Sequence, residues 1–322
     1  RLLPSDTTFF PERSVAGIAV EEGGPGSHCA LLTRQMGIPG VAQVAGLLDR
    51  AGEGDVLLLD GSVGRVTIDP DEEAGVRFSI LVKNYLSGGA RAGERAHEPA
   101  VTRDGVAVPV MVNIGNRRDA EVGMANGADG VGLFRTEVLF LSRERLPTEG
   151  EVEEGIRDAL DPFKGKPVSV RLLDIGGDKA LPYLPFPSEP NPFLGRRGVR
   201  VLLDFPELLG LQLRALVRVA RDHDLQIIVP MITVAEEMGK VRAALESAAA
   251  GVGARVLPQL GAMIETPAAA LCADEVAAVS DFLNIGTNDL TQYTMAAGRE
   301  NALVGRYFQD DHPAIMRLLR LV

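Results

Sequence analysis

Cysteine is scarce: the 322 residues include two, Cys29 and Cys272, far apart and in no metal-ligand spacing. A disulfide and a cysteine-bound metal are therefore not expected, and a reducing, cytoplasmic setting is the default. Basic charge is short as well, with 33 Lys and Arg against 44 Asp and Glu and a formal net charge of −11. A protein that tracks nucleic acid needs a basic stripe to displace counterions, so that class is set aside. A small anionic substrate stays compatible, because local arginine clusters decide that case. No apolar run is long enough for a transmembrane helix or a signal-peptide core. Arg1 stands where a start methionine would, which fits a processed product or an excised fragment.

What is present is an ordinary globular balance, 46% hydrophobic and 24% charged, with enough length for two domains or a barrel with an attachment. From Val15 to Glu21 a strand-like run meets Gly23-Gly24-Pro25-Gly26. Ser27 then occupies an N-cap position before the apolar-periodic stretch His28 to Met36, which Gly37-Ile38-Pro39-Gly40 ends. Two short strands, Asp55 to Asp60 and Arg65 to Asp69, flank the turn Gly61-Ser62-Val63-Gly64. These features define an α/β unit over residues 1–70. Residues 71–103 read as a helical linker interrupted at Gly88-Gly89 and Gly93.

Over residues 104–322 short apolar runs alternate with amphipathic stretches. The strand candidates are Val108–Asn113, Gly130–Phe134, Val168–Asp174, Val199–Leu203, Gln226–Met231, Leu260–Glu265 and Phe282–Gly286. Helices are expected over Arg118–Asn126, Pro206–Arg221 and Ala235–Ala250. Strand–helix repetition implies a parallel sheet. Seven candidates fall one short of a closed (β/α)8 barrel, whose active-site face lies at the C-terminal strand ends. Arg135, Glu137, Arg171, Asp174, Glu265, Asn288 and Asp289 all fall at such ends.

Three groups of residues point to chemistry. His28 starts a helix directly behind a glycine-rich loop, where backbone N–H groups and the helix dipole favour phosphate and imidazole is a competent nucleophile. Taken alone, it reads better as an exposed histidine that begins a helix. Glu265 and Asp289 follow neighbouring strands and offer hard oxygens of the kind that suit Mg2+. Their bland alternative is an ion pair for Glu265 and a helix cap for Asp289. The arginines Arg135, Arg171, Arg197 and Arg299 suit phosphate and carboxylate oxygens. Arg171, inside an apolar strand, demands an anion, which is either a ligand or Asp174.

The segments Gly23-Gly24-Pro25-Gly26-Ser27-His28, Gly132-Leu133-Phe134-Arg135-Thr136-Glu137, Leu146-Pro147-Thr148-Glu149, Asp174-Ile175-Gly176-Gly177-Asp178-Lys179, Asn191-Pro192-Phe193-Leu194-Gly195 and Gly286-Thr287-Asn288-Asp289-Leu290-Thr291-Gln292-Tyr293 occur in this order. Together they resemble enzyme I of the sugar phosphotransferase system, in the phosphoenolpyruvate (PEP)-utilising enzyme family, from about Pro4 onward. The resemblance implies a small swivelling phosphohistidine domain, a connecting helical linker and a PEP-binding (β/α)8-type barrel. It implies that His28 takes the phosphoryl group of PEP, leaving pyruvate, and passes it to an HPr-like phosphocarrier. Arg135, Arg171 and Arg197 would hold the substrate phosphate, Asn288 and Arg299 would fix the substrate, and Glu265 and Asp289 would bind Mg2+. A homodimer through the barrel domain is a further expectation from the resemblance.

The sequence departs from the family pattern in three places. Gly26 stands where a hydroxyl residue precedes the serine–histidine pair, and Pro25 replaces a polar residue. No HPr-docking helical domain is seen before Arg1. The Gly-Met-Cys-Gly motif of the last barrel strand is also missing, and neither Cys29 nor Cys272 matches its cysteine. The residues leave two alternatives: a pyruvate phosphate dikinase or PEP synthase relative, and a non-catalytic remnant that binds PEP for regulation.

Overall fold

The alternation of apolar runs and amphipathic stretches is realised in a computed structural model that describes residues 15–22, 33, 38–141, 143–177, 181–185, 188–299, 301 and 303–322, with 88–91 given by backbone alone. The chain divides into two compact units, Arg1–Glu94 with Met295–Gln309, and Arg95–Thr294 with Asp310–Val322.

In the first unit, β1 (Ile18–Ala19) and β2 (Gly40–Val41) pair in parallel, and β3 (Leu57–Asp60) and β4 (Arg65–Ile68) form an antiparallel hairpin. The hairpin turn is the expected one. Gly64 takes the positive φ of 66° that closes it, and the Ser62 amide and hydroxyl donate to Asp60 Oδ1 at 3.0 and 2.5 Å. Those bonds hold the Asp60 carboxyl below its ordinary range. The stretch expected as a linker holds a continuous helix, Glu72–Glu94, which falls within the first unit. It runs through Gly88-Gly89 and Gly93 without the expected interruptions, since a helical glycine costs about 1 kcal/mol and does not by itself break the ladder. The loop 23–27, His28 and, apart from Thr33, the helix expected to follow it lie outside the described residues.

The second unit is built on a parallel six-stranded sheet: β5 (Val112–Ile114), β6 (Val131–Arg135), β7 (Val168–Arg171), β8 (Leu225–Val229), β9 (Gln259–Ile264) and β10 (Leu283–Ile285). Each strand pairs with its neighbour in the chain, from β5 at one edge to β10 at the other. Helices Arg117–Ala125, Glu149–Leu160, Pro206–Val219 and Ala235–Gly251 connect them. Asn116 caps the first of these, accepting from the Asp119 amide at 3.0 Å, and Thr148 with Glu151 forms a capping box on the second. Val168, Val170, Ile227, Val229, Leu260, Ala262 and Ile264 are buried against Ile156, Leu213, Leu216, Val241 and Leu245 of the helices.

One strand candidate is wrong: Val199–Leu203 is helical, within Val199–Asp204, so the described sheet has six strands. A five-residue apolar run fits either state by pattern alone. Here Gly198, at φ 56°, turns the chain into the helix, and Phe205-Pro206 ends it and starts the next. The first strand is shorter than Val108–Asn113. Pro109 lacks the donor a ladder needs, and the Val110 amide donates instead to Asp129 Oδ2 at 2.7 Å.

Candidate active site

A charged side chain in an apolar sheet is costly unless it is paired, so the places where such residues gather carry information. In the second unit they gather beyond the C-terminal ends of the strands. Arg135 closes β6 and is the register partner of Arg171, which closes β7. Thr136 and Glu137 follow β6, Asp174 follows β7, Glu265 follows β9, and Asp289 sits in the first turn of helix Thr287–Met295 after β10.

Glycines decide whether these groups can meet. Gly176, at φ 105°, forms an antiparallel bridge with Arg197, and a Cβ there would lie 2.1 Å from the Arg196 carbonyl oxygen. No other residue allows the Asp174 segment to run against Arg196-Arg197. A Cβ on Gly286 would fall 2.7 Å from Glu265 Oε2, so this glycine leaves room for the carboxylate.

Arg197 is the hub. Its Nε and Nη2 donate to Asp174 Oδ1 and Oδ2 at 3.2 and 3.0 Å, and its Nη1 and Nη2 donate to Asp289 Oδ1 and Oδ2 at 2.7 and 3.2 Å. Nη1 also reaches the Tyr293 hydroxyl at 3.1 Å, which donates onward to the Phe193 carbonyl at 2.6 Å. Arg171 donates through Nη2 to Glu137 Oε1 and lies 3.4 Å from Asp174 Oδ2 through Nη1. Glu265 Oε1 accepts from the Met231 amide at 2.6 Å, with Met231 held at φ 59°.

Behind the charges lies a neutral brace. Gln212, fully buried on helix Pro206–Val219, accepts from the Leu173 amide at 3.0 Å and donates to Thr136 Oγ1 at 2.9 Å. Thr136 Oγ1 donates in turn to the Arg171 carbonyl at 3.0 Å. This ties the ends of β6 and β7 to one helix.

Electrostatically the site is unbalanced. Glu137, Asp174, Glu265 and Asp289 are buried together with Arg171 and Arg197. Among the described residues four buried carboxylates face two buried guanidinium groups, a formal surplus of two negative charges. Burial weakens the charge of both arginines, but the surrounding carboxylates more than offset this and hold each pKa above the ordinary arginine value. The surplus falls on Glu265. Burial first, then the Asp174 charge, push its carboxyl up to about 8, with Arg171 opposing and Asp289 adding to the rise. Hard oxygens with surplus negative charge are a fitting donor set for a divalent cation, with Glu265 and Asp289 as the candidate pair. Among the described residues no three such side chains form a ready-made metal cage, so further ligands would come from substrate or water.

The structure thus brings together Arg171, Arg197, Glu265 and Asp289 of the expected site. Arg135 is exposed beside Arg171 in register, and Asn288 is exposed next to Asp289. Arg299 belongs to the Met295–Gln309 segment of the other unit, and His28 lies outside the described residues. Glu137 and Tyr293 had no assigned role in the sequence reading. Tyr293 follows Asp289 by four residues on one helix, a spacing that places both on one face and would have found it. Glu137 falls at an expected strand end, but no local signal pairs it with Arg171, 34 residues away.

Residues 89–322 match a family model described as "PEP-utilising enzyme, PEP-binding domain", and residues 1–64 match one described as "PEP-utilising enzyme, mobile domain". The chain is similar to the phosphoenolpyruvate-protein phosphotransferases of Bacillus sp. (strain S) and of Geobacillus stearothermophilus. Each is 42% identical over 99% of this chain and 56% of the relative. The corresponding protein of Staphylococcus carnosus is 40% identical over the whole chain and 57% of its own length. The chain therefore spans a little over half the length of these relatives. It belongs to the PEP-utilising enzyme family, where these relatives carry the name phosphoenolpyruvate-protein phosphotransferase.

Proposed function

We propose that this chain carries out the PEP half-reaction of a phosphoenolpyruvate-protein phosphotransferase, moving the phosphoryl group of PEP to His28 and leaving pyruvate. The observation that carries this reading is the buried arginine–carboxylate cluster at the strand ends, with Arg135 in register beside Arg171. Phosphoryl transfer needs in-line positioning and neutralisation of charge more than covalent chemistry from the protein. Arg135 and Arg171 hold the phosphate, with Arg197 fixing the carboxylates that face it. Asn288 and Arg299 orient the substrate. Glu265 and Asp289 would hold Mg2+, which would supply positive charge toward the substrate's oxygens. His28 then passes its phosphoryl group to a small HPr-like carrier. The sheet corresponds to the wall of a (β/α)8 barrel, residues 1–70 to the swivelling domain and residues 71–103 to the linker between them. A cytoplasmic homodimer through the barrel is the matching assembly.

The test is incubation of the chain with labelled PEP and Mg2+. Acid-labile, base-stable label on His28, absent from His28→Ala and accompanied by pyruvate, is the expected result. A folded chain that binds PEP yet never labels would leave the regulatory reading in its place. Label dependent on ATP would move the chain to the dikinase branch.

A further inference from the structure

We infer that Glu137 is a resident counter-anion for Arg171, a latch that an incoming phosphate must displace from the guanidinium. The inference rests on the reading of Arg171 as a phosphate-binding residue. It goes beyond that reading in giving Glu137 a role and a direction of effect.

The geometry of the pair carries the argument. A guanidinium offers Nε and Nη2 as one edge, and that edge matches two oxygens of a carboxylate or phosphate. Glu137 uses half of it. Oε1 accepts from Nη2, whereas Arg171 Nε and Glu137 Oε2 are both buried and have no hydrogen-bonding partner among the described residues. The side chains of both residues are about 8% exposed, so water does not freely satisfy these atoms. A buried donor and a buried acceptor left unmade on one ion pair are unusual, since such groups are nearly always satisfied. The pair is therefore an incomplete version of a better interaction. An anion with tetrahedral oxygens takes both Nε and Nη2, which satisfies the first orphan and releases Glu137.

The rest of Glu137 is placed to allow this. Its backbone carbonyl accepts from the Phe140 and Leu141 amides, so the main chain stays anchored when the side chain leaves. Arg171 stays in place as well. Its carbonyl is held by Thr136 Oγ1, and its Nη1 faces Asp174. The exchange thus needs only side-chain rotation of Glu137. Until it occurs, Glu137 keeps a buried guanidinium compensated and raises the threshold for anion binding. Glu137 is a positioning residue in this scheme, not a catalytic one.

Calorimetric titration of inorganic phosphate and of PEP into the wild-type chain, Glu137→Gln and Glu137→Asp tests the latch. A residue that closes the binding-competent state nine times in ten weakens apparent affinity roughly tenfold, so its removal should tighten phosphate and PEP by roughly fivefold to tenfold. Glu137→Asp keeps the charge but shortens the reach to Arg171, and it too should tighten binding. Tightening in Glu137→Gln alone would assign the effect to net charge and overturn the latch. Unchanged or weaker binding in both variants, with wild-type binding intact, overturns it while leaving the proposed function standing. Phosphate that tightens as expected while PEP binds none of the proteins upholds the latch and defeats the proposed function. Circular dichroism confirms that each variant is folded.

Discussion

Arg197 and Asp289, 92 residues apart in the chain, meet through two hydrogen bonds of 2.7 and 3.2 Å beyond the sheet. This contact joins the loop after β7 to the helix after β10, and both partners are buried. Its value to the fold lies in what its loss leaves behind.

Replacing Arg197 with Met keeps much of the volume but strands Asp174 and Asp289 in a dry site. Removing one partner of a buried ion pair costs about 3–5 kcal/mol, mostly as uncompensated charge. Urea unfolding at pH 8 should show a loss of that size. A variant as stable as wild type would mean that the cluster contributes nothing.

Gly176→Ala should be costly for two reasons at once. The position needs a φ of 105°, and the new Cβ would lie 2.1 Å from a carbonyl oxygen. A loss of about 2–4 kcal/mol is expected, above the usual penalty for positive φ alone. Gly105→Ala is the matched control, with φ 87° and open space around it. It should lose only about 1 kcal/mol.

Glu265 gives a pH dependence of definite sign. Its carboxyl titrates near 8 in the folded chain, above the ordinary value of 4.5. The folded state therefore binds more protons than the unfolded state between those values, and stability falls as pH rises through that window. With chelator present, the urea midpoint of the second unit should drop from pH 5 to pH 8.5. Glu265→Gln should flatten that drop. A wild-type midpoint that rises over the same range would contradict the assignment.

The same group links metal to protons. If Mg2+ binds at Glu265 and Asp289, the Glu265 proton must leave, because a ligand carboxylate is ionised. Titrating Mg2+ at pH 7 in buffers of different ionisation enthalpy should reveal proton release of up to about one per site. Glu265→Gln should abolish it. This readout does not depend on turnover.

Gln212 is the place to test the neutral brace. Gln212→Leu leaves the Leu173 amide without its acceptor and Thr136 without its donor, each buried. A loss of about 1–3 kcal/mol per unsatisfied group is expected, measured by thermal unfolding.

The parallel sheet was legible because its strands are short apolar runs punctuated by amphipathic helices, and polar residues mark where the runs end. Val199–Leu203 misled because its length favours neither state, and what decides it is the turn at Gly198 and the stop at Pro206. For Arg171 the sequence left open whether its anion was a ligand or Asp174. The structure supplies Asp174 and adds Glu137. Glu137 was seen at a strand end, but its pairing with Arg171 was not, because β-strand pairing, not helical or turn spacing, brings the two near. Arg135 and Arg171 are aligned only by the register of β6 on β7. The Arg197 network was unreadable for the same reason, since the bridge from Gly176 to Arg197 is a tertiary contact.

The order of the cluster along the chain has a consequence for how the protein is made. Glu137, Arg171, Asp174 and Arg197 all precede Glu265 and Asp289. The first four balance in charge, so a nascent chain that has emerged only that far already holds a neutral set. Asp289 follows Arg197 by 92 residues, which is roughly 5–18 seconds of synthesis at ordinary rates. During that interval Asp174 can serve both arginines, sparing them a search for stray carboxylates. Glu265 and Asp289 arrive last of the six, so the cluster stays neutral until they are made.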